Sequence, residues 1–134
     1  MNNKERTDDM KKALTISGLV FLLSAMTVFA ADNVAMLQGK WVGEFQGTAG
    51  TVQVRTHFWM ENDELVGTMD FPQENIYNLK LSFIIIEAAS VHFEVVKNSE
   101  VLSFEGKLIS NQLVGEFSTK TGRGVFGFSR EKNL

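Results

Sequence analysis

The feature that most constrains this chain is an alternation of apolar and polar side chains, with a period of two, running from Gln38 to Arg130. Turn-forming residues interrupt it about every 8 to 12 residues, the pattern of a series of short half-buried strands. Eight strands are predicted, at 39–47, 51–60, 64–71, 78–86, 90–97, 101–109, 112–119 and 123–130. The breaks are Thr48-Ala49-Gly50, Glu61-Asn62-Asp63, Phe71 to Tyr77, Glu87-Ala88-Ala89, Asn98-Ser99, Ser110-Asn111 and Lys120-Thr121-Gly122. All but the Phe71–Tyr77 connection, which holds the only proline, are of hairpin length, so sequence neighbours should pair as antiparallel neighbours. No segment has a helical period long enough for a crossover helix, which parallel pairing would need.

Parity assigns the faces. The predicted inner sets are Trp41, Gly43 and Phe45; Val52, Val54, Thr56, Phe58 and Met60; Leu65, Gly67, Met69 and Phe71; then Leu79, Leu81, Phe83 and Ile85. They continue with Val91, Phe93 and Val95; Leu102, Phe104, Gly106 and Leu108; Leu113, Gly115 and Phe117; and Phe126, Phe128 and Arg130. All nine phenylalanines beyond residue 30 fall on these faces. A slip of one residue would turn the rings into water, so the register is strongly specified. Trp41-Val-Gly-Glu-Phe45, Leu65-Val-Gly-Thr-Met69 and Leu113-Val-Gly-Glu-Phe117 each set an inward glycine beside large residues. Small barrels fill their taper in this way, and closure leaves no edge strand to aggregate. The predicted fold is therefore all-β: one small eight-stranded antiparallel up-and-down barrel. In such a meander the start of the first strand and the end of the eighth share one end, which brings Trp41 to Arg130 as an indole–guanidinium stack. The competing reading has Arg130 reaching out to solvent.

The segment before this domain is of another kind. Residues 13–29 carry no charge, follow Lys11-Lys12 and lead into Val28-Phe29-Ala30-Ala31. A basic start, an apolar run and a small-residue junction make a secretory signal peptide, expected over 1–30 with the barrel domain at 31–134. Met10 is an alternative start, and an uncleaved anchor is the competing reading of the 17 apolar residues. Removing Lys4, Arg6, Lys11, Lys12, Glu5, Asp8 and Asp9 leaves 9 basic and 13 acidic side chains, a formal charge of −4. Without a basic cluster, nucleic acid and anionic membrane are not expected partners. There is no cysteine, so the domain must fold on its core alone and no lipid can attach at the junction. The expected location is periplasmic or secreted, free of the membrane after cleavage.

Catalytic signatures are few in the sequence. Gly-x-Ser-x-Gly is absent, and Ser129-Arg-Glu-Lys132 fits Ser-x-x-Lys at the chain end without companion motifs. His57 and His92 face outward on strands that are not neighbours, so each is read as a solvated surface histidine. Glu61, Asp63 and Glu64 crowd a hairpin tip. No catalytic, cofactor or metal site is predicted. Trp59, outward beside His57, is a candidate surface contact, with packing under residues 31–37 as the alternative. Any lumen cavity should be small and apolar, with Met60, Phe71 and Tyr77 as its candidate entrance.

Several short motifs share an order with a known family: Gly39-Lys-Trp41-x-Gly43, Leu65-Val-Gly67-Thr68-Met-Asp70-x-Pro72-Gln73, Val91-x-Phe93-Glu94, Ser103-Phe104-Glu105-Gly106-Lys-Leu108, Leu113-x-Gly115-Glu-Phe117 and Phe128-Ser-Arg130. The stretch resembles the β-barrel accessory domain found N-terminal to the catalytic domain of secreted bacterial serine hydrolases, of the α/β-hydrolase and penicillin-recognising types. Its Gly39-x-Trp41 opening and closing Arg130 are similar to the lipocalin and avidin closure. The family's catalytic residues lie in a domain that this sequence does not contain, so none is carried over. The resemblance implies a non-catalytic accessory or interaction module of the bacterial cell envelope, either free or assisting a separately encoded hydrolase. A lipocalin-like carrier of a small apolar ligand is the alternative.

Overall fold

The computed structural model describes residues 33–47 and 49–132; the expected signal peptide lies outside them. The strands are β1 (Gly39–Gly47), β2 (Gly50–Glu61), β3 (Glu64–Phe71), β4 (Ile76–Glu87), β5 (Ser90–Lys97), β6 (Glu100–Ile109), β7 (Gln112–Ser118) and β8 (Arg123–Arg130), with a 3-10 turn at Pro72–Glu74. Each pairs antiparallel with its sequence neighbours, and β8 returns to β1, closing an up-and-down barrel. Two-residue hairpins suit the right-handed strand twist only if their residues adopt positive φ, and Asn62-Asp63 (51° and 61°) and Asn98-Ser99 (51° and 65°) do so.

Eight strands enclose little more than their own side chains. Phe45, Phe58, Phe71, Phe93, Phe104, Phe117, Phe126 and Phe128 are all buried. Phe104 is their hub: it stacks on Phe93 at 4.9 Å and 13°, and meets Phe126 edge-on at 5.2 Å and Phe45 at 5.8 Å. The inward glycines are required by strand approach. A Cβ on Gly43 would lie 2.1 Å from the Gly127 carbonyl oxygen, and one on Gly115 2.0 Å from that of Glu105.

The ninth phenylalanine departs from expectation. Phe83 is 70 % exposed with φ +51°, and Ile85 is 49 % exposed, while Ile84 and Ile86 pack against the core. The register of β4 on β5 gains one residue between Ser82 and Ile85, so a β-bulge at Phe83 reverses the parity of the remainder of the strand. In Phe83-Ile84-Ile85-Ile86 both parities are apolar, so alternation carries no facing information there. A second irregularity, between Met69 and Phe71, lets Asp70 face both Tyr77 and Asn78, and the Asn78 N–H donates to the Asp70 carboxylate at 2.7 Å.

Candidate functional site

The two barrel ends differ in kind. At the first, Trp41 pairs with Arg130 across β1 and β8, and the guanidinium lies 4.6 Å from the indole centroid. Residues 33–37 form a helical turn that covers this end. It buries Leu37 completely, and the Leu37 carbonyl accepts the Trp41 indole N–H at 2.8 Å. Arg130 donates to the carbonyls of Gln38 (2.9 Å) and Met36 and to the Asn111 side chain (3.2 Å). Every guanidinium nitrogen has an acceptor, so this end is sealed.

At the opposite end a recess of about 200 Å³ opens between the strands. Its apolar lining is Phe45, Val52, Leu102 and Phe117, with the Phe45 and Phe117 ring centroids 4.5 Å apart. Charged side chains of Lys97, Glu100 and Arg123 stand around it. Lys97 and Glu100 are cross-strand partners that continue the inward parity of β5 and β6. Lys97 was missed at the sequence level because it reads as the shoulder of the Asn98-Ser99 turn. Counting by two from Val95 would have placed it inside. Its ammonium lies 4.8 Å from the Phe71 ring centroid and 2.7 and 2.9 Å from the two carboxylate oxygens of Glu74. The interior is thus not wholly apolar: Thr56, Lys97, Glu100 and Arg130 all lie on inward positions. Thr56 itself is 2 % exposed, and its hydroxyl has no partner among the described residues.

The expected entrance does not assemble. Met60 ends β2 and lies at the sealed end, whereas Phe71 ends β3 at the mouth, because consecutive strands run in opposite directions. Phe71 is fully buried beneath Lys97. Tyr77 is 54 % exposed and faces a groove of about 540 Å³ on the outer wall, with Val42, Glu44, Gln53, Arg55 and Pro72. On the outer face of β2, Trp59 and His57 are half-buried with ring centroids 4.7 Å apart, and the indole N–H donates to Glu61 at 3.3 Å.

His92 is not freely solvated. Its two ring nitrogens lie 2.9 Å from Glu105 and 2.9 Å from Glu94, and its side chain is 23 % exposed. Burial pulls its pKa down, but the hydrogen bonds to Glu94 and Glu105 and the charges of both carboxylates outweigh burial and raise it above the ordinary value. The carboxylates stand on opposite sides of the ring and do not converge on one point. Among the described residues no three His, Asp or Glu side chains are placed to hold a metal ion.

No family model and no curated protein matches the sequence. Among solved structures the barrel is similar to a redesigned β-barrel, b11L5F_LGL, with a TM-score of 0.61 at 14 % identity over 75 % of this chain and 96 % of that one. A second redesigned β-barrel, mFAP1, bound to DFHBI, has a TM-score of 0.51 at 16 % identity, covering 74 % of this chain and 98 % of that one. These likenesses concern the fold.

Proposed function

We propose that this chain is an exported, non-catalytic binding barrel that takes a small, largely apolar ligand at its mouth, in the manner of a lipocalin-like carrier. The observation that carries the reading is the asymmetry of the ends. One is closed by Leu37, Trp41 and Arg130. The other leaves an aromatic-walled recess with charged groups at its rim. Concave apolar surface with a few placed polar groups is the general form of a small-molecule site. The mFAP1 barrel bound to DFHBI supports the reading, since a barrel of this architecture accommodates a small molecule. At about 200 Å³ the recess is below the roughly 300 Å³ at which drug-sized pockets begin, so it suits a single ring or a short chain. Titration of the purified chain with a hydrophobic dye, alongside native mass spectrometry, tests this. The expected result is a saturable one-to-one signal that Leu102→Trp abolishes by filling the recess; no saturation and no bound mass would sink the reading.

A second reading, the envelope accessory module serving a separately encoded hydrolase, is favoured by Phe83. A large aromatic side chain held at 70 % exposure on a positive-φ backbone has no packing role that repays its strain, and it offers a contact knob on the outer wall. In this reading, Phe83→Ser weakens a purified complex with the partner hydrolase while leaving dye binding at the mouth intact. Unchanged affinity for that hydrolase would remove it.

A further inference from the structure

We propose that the ligand of the mouth is a small carboxylate, and that it docks by displacing Glu74 from Lys97. This rests on the mouth being the binding end and extends that reading to the charge of the ligand and to how the recess opens.

Two inward-parity cations terminate the barrel, one at each end. Arg130 is committed to Trp41 and three acceptors in the sealed end. Lys97 is held otherwise. Its side chain is 15 % exposed and its ammonium lies against the buried Phe71 ring. An ammonium so far withdrawn from water needs an anion in direct contact. The anion it has, Glu74, belongs not to the barrel wall but to the three-residue turn Pro72–Glu74. That turn is tied to β5 by the Glu74–Lys97 pair. Among the described residues it is tied to β2 by one hydrogen bond, from the Gln53 backbone N–H to the Gln73 side chain at 3.2 Å. The turn does not line the recess, but its carboxylate holds the anion position on Lys97, a residue that does.

Charge decides between replacement and addition. Glu100, the cross-strand neighbour of Lys97, also lines the recess. Glu74 neutralises Lys97 and Glu100 offsets Arg123, so the mouth is balanced while Glu74 remains, and a further anion finds no unmatched cation there. A ligand carboxylate that replaces Glu74 leaves the charge count unchanged. It also lays its apolar body over Phe45 and Phe117, which the Glu74 side chain does not do. Arg123, exposed at the rim, adds attraction on approach. The ligand class is a carboxylate on a compact apolar ring or short chain.

The test uses three probes of one shape: 4-methylbenzoate, 4-methylbenzamide and 4-methylbenzylammonium. Each is titrated into the purified chain, and the methyl resonances of Val52 and Leu102 are followed. The carboxylate should bind tightest. Glu74→Gln should tighten the carboxylate about fivefold, by removing the internal competitor, and leave the amide within about twofold. Lys97→Met, which retains the apolar stem over Phe71, should lower the carboxylate to the level of the amide. Glu74→Gln lies on an exposed turn and stands as a test even if Lys97→Met fails to fold. A carboxylate affinity that Glu74→Gln leaves unchanged or weakens overturns the proposal, as does preference for the ammonium probe. If amide and carboxylate bind equally, the mouth remains the binding end and only this inference falls; if no probe shifts those resonances, both fall.

Discussion

Arg130→Ala is the sharpest test of how the sealed end is held. The substitution removes the stack on Trp41, worth about 0.5–2 kcal/mol depending on desolvation. It also strips a charged donor from the Gln38 and Met36 carbonyls and the Asn111 amide, where such hydrogen bonds contribute about 1.5–3 kcal/mol each when protected. Arg130 is only half-buried, so water replaces part of what is lost. A net destabilisation of about 2–4 kcal/mol follows once that replacement is counted. For a domain of this size, each kcal/mol shifts Tm by roughly 4–8 °C, so the variant should melt at least about 8 °C lower. Urea unfolding followed by far-UV circular dichroism should show a lower midpoint at unchanged slope, with the fluorescence of Trp41 and Trp59 moving in step. Arg130→Lys should recover less than half of the loss, because a point charge cannot hold three separate acceptors and lie flat on an indole. A loss below about 1 kcal/mol for Arg130→Ala, or a lysine variant equal to the parent chain, would refute the account of the plug.

Three further outcomes are expected. Phe83→Asn should raise stability by about 0.5–1 kcal/mol in thermal melts, because asparagine tolerates the left-handed backbone and no buried contact is lost; a loss of about 3 kcal/mol would instead place the ring in the core. Thr56→Val should stabilise by about 1 kcal/mol, since it replaces an unpartnered buried hydroxyl with a methyl group of similar size. A destabilised Thr56→Val in the same melts would mean that the hydroxyl has a partner. His92 has a pKa raised by folding, so its contribution is fully present below the unfolded value, near 6.5, and is lost as pH rises through the folded value. The stability difference between the parent chain and His92→Gln should therefore shrink from acid to alkaline pH in urea titrations, and a difference that grew with pH would reverse the assignment.

What was legible in the sequence depended on whether one parity excluded the other. In β2, Val52, Val54, Thr56 and Phe58 alternate with Gln53, Arg55 and His57, and strand, face and register were all readable from that contrast. Around Phe83 the contrast vanishes, and the choice between Phe83/Ile85 and Ile84/Ile86 passed to the β-bulge, a backbone event with no residue signal beyond a run of apolar side chains. The Trp41–Arg130 pairing was readable because an even-numbered meander fixes which chain ends meet. The same rule, applied to Met60 and Phe71, would have separated them, since strands that follow one another finish at opposite ends. The inward side of Lys97 was readable by counting from Val95, but the recess itself was not, because the space left above Phe45 and Phe117 depends on how the strand ends splay, which alternation does not carry.

The distribution of polar groups along the barrel axis argues that the ends have been given different tasks. The sealed end gives each guanidinium nitrogen of Arg130 an acceptor, at Met36 and Gln38 before β1 and at Asn111 in the β6–β7 hairpin, so opening it would strand two carbonyls and a side-chain amide at once. The mouth holds its buried cation with one carboxylate on a three-residue turn, and one hydrogen bond fastens the turn's other side. Local opening is least costly where few contacts must break together, and that condition is met only at the mouth. A site that must admit and release a ligand belongs there, and the rigid packing of Phe93, Phe104 and Phe126 behind it limits a ligand to the depth of the recess. The buried rings therefore form a fixed aromatic floor, and on the proposal made above the Lys97–Glu74 pair over it is the part whose free energy a bound anion would change.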